Sequence, residues 1–454
     1  MTQENMKPGI ENGKGPVTRQ RPIAVDLFAG AGGLSLGFEQ AGFDIAAAVE
    51  FDPIHAAVHE YNFPYGTTLC ANVRDLDGAS IRARAGLGSR AIDVVVGGPP
   101  CQGFSLIGQR VLDDPRNSLV LHFMRLVSEL RPRLFVMENV PGMATAAHTQ
   151  LLRELIAGFD DAGYRVRLPY RILNAADYGV PQDRKRLVLL GARKDCPLPN
   201  YPAPTTNSRL VLKSKGAQLP LDLQLPATPC VNDALGDLPD IDGHAELADS
   251  DELRVRLRGG SNYARMLRGE LVDPADFGYP RMKTSGVLTG CRAADHSDLS
   301  RKRFAETTPG DTEPVSRFFR LPPQGLCNTL RAGTATDHGA FTAPRPIHPQ
   351  WARCISVREA ARLHSYPDWF RLHRTVWHGF RQIGNSVPPL LGRAVAHQLM
   401  LALGIRPVKP AKLEGSREDL FALDMKQAAA RFGVPHNVIP QRRRTAPDGG
   451  RKVA

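Results

Sequence analysis

A mostly apolar run, Ile23–Phe28, in which Asp26 is the one charged residue, breaks directly into Ala29-Gly30-Ala31-Gly32-Gly33-Leu34-Ser35-Leu36-Gly37-Phe38, so a strand must turn sharply into a helix. Glycine tolerates positive φ there and lets a ligand approach the backbone closely. That geometry belongs to the first strand–helix unit of an open parallel sheet. A carboxylate about 20 residues on can bind a ribose hydroxyl pair, and Glu50, closing the next aliphatic run, meets that need. Ser35 stands where the dinucleotide pattern GxGxxG has its third glycine. A turn with no pyrophosphate to hold suits S-adenosylmethionine, which has no phosphates. Taken alone, the turn also fits a purely structural bend or a nicotinamide site.

The alternation continues to about residue 195. Ile23–Phe28, Ile45–Val49, Ile92–Val96, Leu134–Met137 and Leu187–Leu190 are predicted strands, and Leu119–Leu130 and Leu151–Gly163 are predicted helices. The fold class is therefore α/β, a doubly wound, mostly parallel sheet with a second, smaller domain. Residues 1–20 are nearly free of apolar content and predict a flexible arm. Residues 21–195 form the first domain, completed by 378–404. Between 196 and 377 the texture changes to Pro- and Gly-rich loops with basic clusters such as Arg254, Arg256 and Arg258. Ser356–Leu363 and Leu390–Leu403 predict helices. Residues 405–454 form a basic tail with a predicted helix over Arg417–Phe432 and a basic run at Arg442–Arg444, which either adds nucleic-acid affinity or is simply solvated.

Lys and Arg outnumber Asp and Glu by 58 to 46 in 454 residues, a formal charge of +12, which favours a polyanionic partner. The seven cysteines form no CxxC clamp, so no metal is expected. No stretch is apolar enough for a membrane span, and the N-terminus has no signal-peptide core, so a cytoplasmic, nucleoid-associated protein with free thiols is expected.

Three further segments carry chemistry. Ile92–Val96 runs into Gly97-Gly98-Pro99-Pro100-Cys101-Gln102-Gly103-Phe104-Ser105, which presents a thiol on a stiff turn at the carboxyl end of a strand. Such a cysteine is a candidate nucleophile, although a thiol of pKa ~8.5 is only roughly 3% ionised at pH 7 and needs electrostatic help. Leu134–Met137 ends in Glu138-Asn139-Val140-Pro141-Gly142, where Glu138 is either an acid catalyst or an ordinary strand-end carboxylate. In Gln182-Asp183-Arg184-Lys185-Arg186 the period of two puts Gln182, Arg184 and Arg186 on one side. By itself that run also fits a solvated charge cluster.

Together, and in this order along the chain, these segments resemble the DNA cytosine-5 methyltransferase family. The resemblance extends through Arg358-Glu359-Ala360-Ala361-Arg362-Leu363-His364-Ser365-Tyr366-Pro367 and Gln382-Ile383-Gly384-Asn385-Ser386-Val387-Pro388-Pro389, spanning residues 21 to about 402. It implies that Cys101 attacks carbon 6 of a cytosine flipped from duplex DNA, making carbon 5 nucleophilic toward S-adenosylmethionine. Glu138 would engage ring nitrogen 3, Arg184 would support the base at its carbonyl oxygen, and Arg186 would lie near the catalytic loop. Phe28, Gly30, Gly33 and Leu34 would line the cofactor turn, Glu50 the ribose, and Phe51 and Pro99 the adenine or methionine portions. Asn385 and Val387 would complete the pocket as the last helix returns to the first domain. Where the family carries Asp plus an aliphatic residue, contacting the adenine amine, this chain has Asn72-Val73, with Asp75 as the alternative.

The middle region resembles the family's target-recognition domain, including its Thr329-Leu330 pair. Gln102, Ser105, Arg301, Arg303 and Arg331 are expected to contact DNA, among basic surroundings of Lys302, Arg317, Arg320 and Arg345. Phe318, Phe319 and Phe341 are expected to form this domain's own core. The implied partners are double-stranded DNA and, if the enzyme belongs to a restriction-modification pair, a cognate endonuclease. The chain is expected to be a monomer. The alternatives are a tRNA cytosine-5 methyltransferase, a nicotinamide-dependent oxidoreductase, and a non-catalytic DNA-binding protein.

Overall fold

The computed structural model describes residues 21–100, 118–145, 149–210, 225–281, 286–292, 294–332, 345–413 and 419–438. Strands β1 (Ile23–Leu27), β2 (Asp44–Glu50), β3 (Thr67–Cys70), β4 (Val94–Gly97), β5 (Leu134–Asn139), β6 (Tyr164–Val166), β7 (Arg171–Asn174) and β8 (Lys185–Arg193) form one sheet ordered β3-β2-β1-β4-β5-β8-β6, with β7 also on β8. The pairs from β3 to β5 are parallel, while β8 runs antiparallel to β5, β6 and β7. The first domain's fold class is as expected. Helices α1 (Gly33–Ala41), α2 (Pro53–Asn62), α3 (Gly78–Arg84), α4 (Ser118–Leu130) and α5 (Thr149–Asp161) supply the crossovers.

Successive residues of β1 face opposite sides. Val25 and Leu27 join a cluster with Phe123, Leu126 and Phe159, whereas Ala24 joins Leu36, Phe38, Leu391 and Leu399. Both faces of the sheet are covered, which is why its central strands read as mostly apolar runs, Asp26 of β1 being a buried exception. Chain direction across the sheet reverses between β1 and β4, so their carboxyl ends flank a crevice suited to a ligand.

The later part of the chain contains α6 (Val231–Leu235), β9 (Glu252–Arg254), α7 (Asn262–Leu267), β10 (Val287–Thr289), α8 (Asp298–Glu306), α9 (Val357–Leu363), α10 (Val376–Asn385), α11 (Pro389–Leu403) and α12 (Met425–Phe432). Packing does not break at residue 196: Cys196, Val231, Leu253, Leu288, Leu330 and Ile355 share one buried cluster with Ala24, Ala48 and Val94. All seven residues of α9 are buried. A small separate cluster joins Phe304, Ile347 and Cys354, with Phe318 packed against it. Phe319 packs against the large cluster, and Phe341 lies outside the described residues.

Helix α11 returns to the first domain as expected, and meets α1 there. A Cβ on Gly37 would sit 2.6 Å from Pro389 O and Arg393 N, so the two backbones touch through a glycine. The helix expected over Arg417–Phe432 is shorter. Asp424 accepts Gln427 N at 2.9 Å while Gln427 accepts Asp424 N, and this reciprocal cap starts α12 at Met425, after a single tight turn at Leu420–Ala422. Arg417 and the basic run Arg442–Arg444 lie outside the described residues.

Candidate functional site

At the end of β1 the backbone enters positive φ at Phe28 (66°), Gly30 (58°) and Gly32 (100°). The glycines serve different ends. A Cβ on Gly32 would fall 2.3 Å from the Phe63 ring, and one on Gly33 would fall 2.5 Å from Val387 O and the Tyr366 hydroxyl. Both therefore allow close packing. Among the described residues a Cβ on Gly30 would meet nothing within 4 Å, leaving space beside it that a ligand can enter. Phe28 holds a left-handed conformation that costs a bulky residue energy, strain of the kind found at binding sites.

Glu50, at the end of β2, reaches back to this turn. Its Oε2 accepts Gly30 N at 2.7 Å and its Oε1 accepts Asp52 N at 2.8 Å. Burial pushes its carboxyl up to about 7, helped by the Asp52 charge and opposed by those two N–H groups and by Arg381. Beside it Phe51 is 41% exposed. Ala71 N donates to Glu50 O, which brings Asn72 alongside; Val73 is buried and Asp75 exposed. The Asn72 carbonyl already accepts Arg74 N at 3.1 Å. Asn385 is exposed at the end of α10, and Val387 is packed on Gly33, closing the far wall. A buried carboxylate for a diol, an exposed aromatic ring, an open glycine and no cation within residues 28–35 together fit a phosphate-free nucleoside such as S-adenosylmethionine.

The second half of the site lies at the ends of β4 and β5. Asn139 Nδ2 donates to Pro99 O at 3.1 Å and ties the Gly97–Pro100 segment to β5. Gly98 leaves room for the neighbouring carboxylate, since a Cβ there would lie 2.7 Å from Glu138 Oε2. Glu138 is paired with Arg186, Nε to Oε1 at 2.7 Å, with side chains only 14% and 11% exposed. Burial raises the Glu138 carboxyl above the usual range, and Arg186 and Arg184 oppose that rise. Cys101, Gln102 and Ser105 lie outside the described residues, which end on this loop at Pro100.

Gln182 and Arg184 are buried and Arg186 is half-buried, while Lys185 is exposed. The role expected for Arg184 differs from its surroundings. It is fully buried and donates to Leu330 O (2.7 Å), Gly384 O (2.7 Å) and Ser386 O (2.9 Å), so its terminal nitrogens are engaged by backbone rather than offered to a base carbonyl. Gln182 completes the seam by accepting Leu330 N and donating to Leu363 O, and the Thr329 hydroxyl donates to Asp183 O. This seam fixes the Thr329-Leu330 pair to the catalytic sheet.

Of the basic residues expected on DNA, Arg331 is exposed. Arg301 pairs with Asp242 at 2.5 Å and Arg303 with Glu313 at 3.6 Å. Arg320, expected at phosphates, is instead buried, donating to Phe304 O, Ala305 O and Thr307 O, where it satisfies the last carbonyls of α8. Arg345 is half-buried over the Phe380 ring. Sequence reasoning also missed the Asp52–Arg381 pair (2.7 Å), although Asp52 before Pro53 carries the signature of a helix N-cap. Among the described residues no cluster of His, Cys, Asp or Glu could hold a metal, and no helix is long and apolar enough to cross a membrane.

Residues 23–401 match the model of the family described as C-5 cytosine-specific DNA methylase. The chain is 55% identical to Type II methyltransferase M.XorII of Xanthomonas oryzae pv. oryzae over 425 residues, 93% of this chain and 95% of that one. It is 32% identical to Type II methyltransferase M.AgeI of Thalassovita gelatinovora, covering 84% and 99%. A crystal structure described as a candidate DNA modification methyltransferase encoded within an E. coli prophage superposes with a TM-score of 0.65 at 32% identity, covering 84% of this chain and 99% of that one. The S. pombe Dnmt2 methyltransferase shares the fold, with a TM-score of 0.52 at 16% identity over 85% of this chain and 100% of that one.

Proposed function

The chain belongs to the C-5 cytosine-specific DNA methylase family, and from that premise we propose that it methylates carbon 5 of a cytosine extruded from a specific site in duplex DNA, using S-adenosylmethionine and a transient bond from Cys101 to carbon 6. The observation that carries this reading is the buried Glu138–Arg186 pair on β5 and β8, set beneath the loop that leads to Cys101, with β4 between β5 and the β1 turn to which Glu50 is bonded.

Glu50 would hold the ribose diol, with Phe51, Asn72, Val73 and Pro99 around the adenine and methionine portions. Phe28, Gly30, Gly33 and Leu34 would line the turn, and Asn385 and Val387 the opposite wall. When bound, S-adenosylmethionine supplies an electrophilic methyl group. The Cys101 thiolate adds to carbon 6 of the ring and thereby makes carbon 5 nucleophilic. Glu138, whose carboxyl burial shifts toward the protonated form against the pull of Arg186 and Arg184, would in its acid form donate from its carboxyl oxygen to ring nitrogen 3 and accept from the exocyclic amine. Arg186 holds that carboxyl in register, and Arg184 acts as a positioning residue through the seam at Leu330, Gly384 and Ser386. Removal of the carbon 5 proton by water lets the Cys101–carbon 6 bond break and returns the thiolate.

The Type II designation of the relatives supports pairing with a restriction endonuclease of the same site. Bisulfite sequencing of DNA from cells expressing the protein tests the activity and reports the site, and duplexes carrying 5-fluorocytosine at that site should become trapped on residue 101. Cys101→Ser should lose nearly all methyl transfer while retaining DNA binding. Unmodified cytosines throughout, or turnover by the serine variant, would overturn the reading.

A further inference from the structure

Asp52 sits two residues after the ribose carboxylate and makes three separate connections. Its backbone N–H donates to Glu50 Oε1 at 2.8 Å, and its Oδ1 accepts Ile54 N at 3.0 Å as the N-cap of α2. Its Oδ2 accepts Arg381 Nη1 at 2.7 Å. The pair is sheltered, the side chains being 3% and 22% exposed, with the Arg381 guanidinium over the Trp377 ring at 5.3 Å. His55 and His378 stand nearby, but burial pushes them down to about 4 and about 3, so both are neutral near pH 7. Arg381 is therefore the cation that Asp52 depends on among the described residues.

The partner's position gives the pair its meaning. Arg381 lies one helical turn before Asn385 on α10, so the two occupy the same face, and α10 leads straight into Ser386 and Val387 against Gly33. One sheltered ion pair thus joins the carboxylate wall of the pocket to the opposite wall, 329 residues apart in sequence.

We propose that Asp52–Arg381 is a positioning pair for the cofactor: it fixes the separation between Glu50 and the Asn385–Val387 wall and sets a positive charge behind the carboxylate that must accept the ribose hydroxyls. This rests on the S-adenosylmethionine reading of the site. Neither residue needs to touch the ligand. The charge matters because burial lifts the Glu50 carboxyl to about 7. The groups facing it are the Asp52, Asp26 and Cys70 side chains, which disfavour its ionised form or are disfavoured by it, and Arg381 with the Gly30 and Asp52 N–H groups, which favour it. A protonated Glu50 loses an acceptor, so affinity rises with pH as Glu50 ionises.

The test is calorimetric titration of the full-length protein with S-adenosylhomocysteine, which binds without reacting, between pH 6 and 9, with Tm recorded for every variant. Asp52→Asn keeps the helix cap, because Asn caps as well as Asp, while removing the pair's negative charge. Arg381→Met keeps the stem on Trp377 and removes the positive charge. At pH 9, where Glu50 is ionised in every variant, both substitutions should weaken binding by about tenfold through lost positioning. The rise of affinity with pH should move to higher pH in Arg381→Met and to lower pH in Asp52→Asn, and Arg381→Lys should recover to within about threefold of wild type. Opposite displacements are not produced by general loosening, which lowers Tm and moves both curves alike. Affinities within about twofold of wild type at pH 9 would overturn the inference, as would parallel displacement without rescue by lysine. A wild-type protein that binds no nucleoside would instead overturn the cofactor reading on which it rests.

Discussion

Glu138 shows how burial and charge oppose each other at one atom group. Its carboxyl is pushed up by desolvation and drawn back by Arg186 at 2.7 Å, so its proton is held above the ordinary carboxylate range, as the proposed donation to ring nitrogen 3 requires. Replacing Glu138 with Gln should cut the single-turnover rate by about a hundredfold or more while leaving cofactor affinity within about threefold; unchanged single-turnover rates would dismiss its role. The sign of the pH effect follows. The acid form is present below the raised pKa and is lost as pH climbs through it, so Arg186→Met, which removes the opposing charge, should extend the protonated range upward. Asp26 is a second buried carboxyl, accepting the Ser35 hydroxyl at 2.5 Å and pushed by burial to about 7. A raised folded-state pKa gives stability that is complete below the ordinary carboxyl value and lost as pH rises toward 7. Asp26→Asn should therefore gain on wild type between pH 4 and 7, by at most ~4 kcal/mol, in urea unfolding curves taken across that window. A difference that is flat with pH would show that Asp26 is ionised throughout.

At the level of elements, legibility followed burial. β1, β2, β4, β5 and β8 could be found because both their faces are covered and each carries a mostly apolar run. The short strands β3, β6 and β7 mix Thr, Arg and Asn with a few apolar residues, so their period is hidden. Gly30, Glu50, Glu138 and Arg186 could be singled out as candidates because strand ends put chemistry at fixed points of a motif. The backbone role of Arg184, the capping role of Arg320 and the Asp52–Arg381 pair were hidden because each joins segments remote in sequence. The return of α11 to the first domain was expected, but its close contact with α1 was not: Gly37→Ala would drive a methyl group against the α11 backbone and should cost about 1–3 kcal/mol in denaturant unfolding. The segment after residue 418 was expected to be a tail, yet Leu420 and Ala428 pack on Ile54 and Ala57 of α2, the Phe421 ring meets Tyr61 edge-on, and Arg431 pairs with Glu60 at 2.7 Å. Truncation after residue 413 should lower stability by roughly 3 kcal/mol or more, read as a depressed Tm. An unaltered transition would mean that this clasp is ornamental to α2.

For the molecule as a whole, two different physical regimes meet across the Gln182–Arg184 seam. On the cofactor side the turn over residues 28–35 has no cation, and its key acceptor, Glu50, works through short hydrogen bonds within a sheltered pocket. Hydrogen bonds and buried pairs are weakly screened, so nucleoside affinity should barely change with ionic strength. The whole chain carries a formal +12, and Arg331, Lys302, Arg254, Arg256 and Arg258 are exposed, as the proposed phosphate contacts require. Phosphate contacts release condensed counterions, and six or more of them imply a loss of about a thousandfold in DNA affinity between 50 and 200 mM salt. The two ligands should therefore separate in a single pair of titrations on the same preparation: a steep log–log slope for duplex DNA and a nearly flat one for S-adenosylhomocysteine. A flat DNA slope would remove phosphate anchoring from the account, and a steep nucleoside slope would mean that long-range charge, rather than the Glu50 turn, governs the small ligand. Arg184 is a buried cation whose two terminal nitrogens donate to backbone carbonyls of Leu330, Gly384 and Ser386. Its removal should weaken both ligands while leaving both salt slopes as they were, because it contributes shape to each site and counterion release to neither.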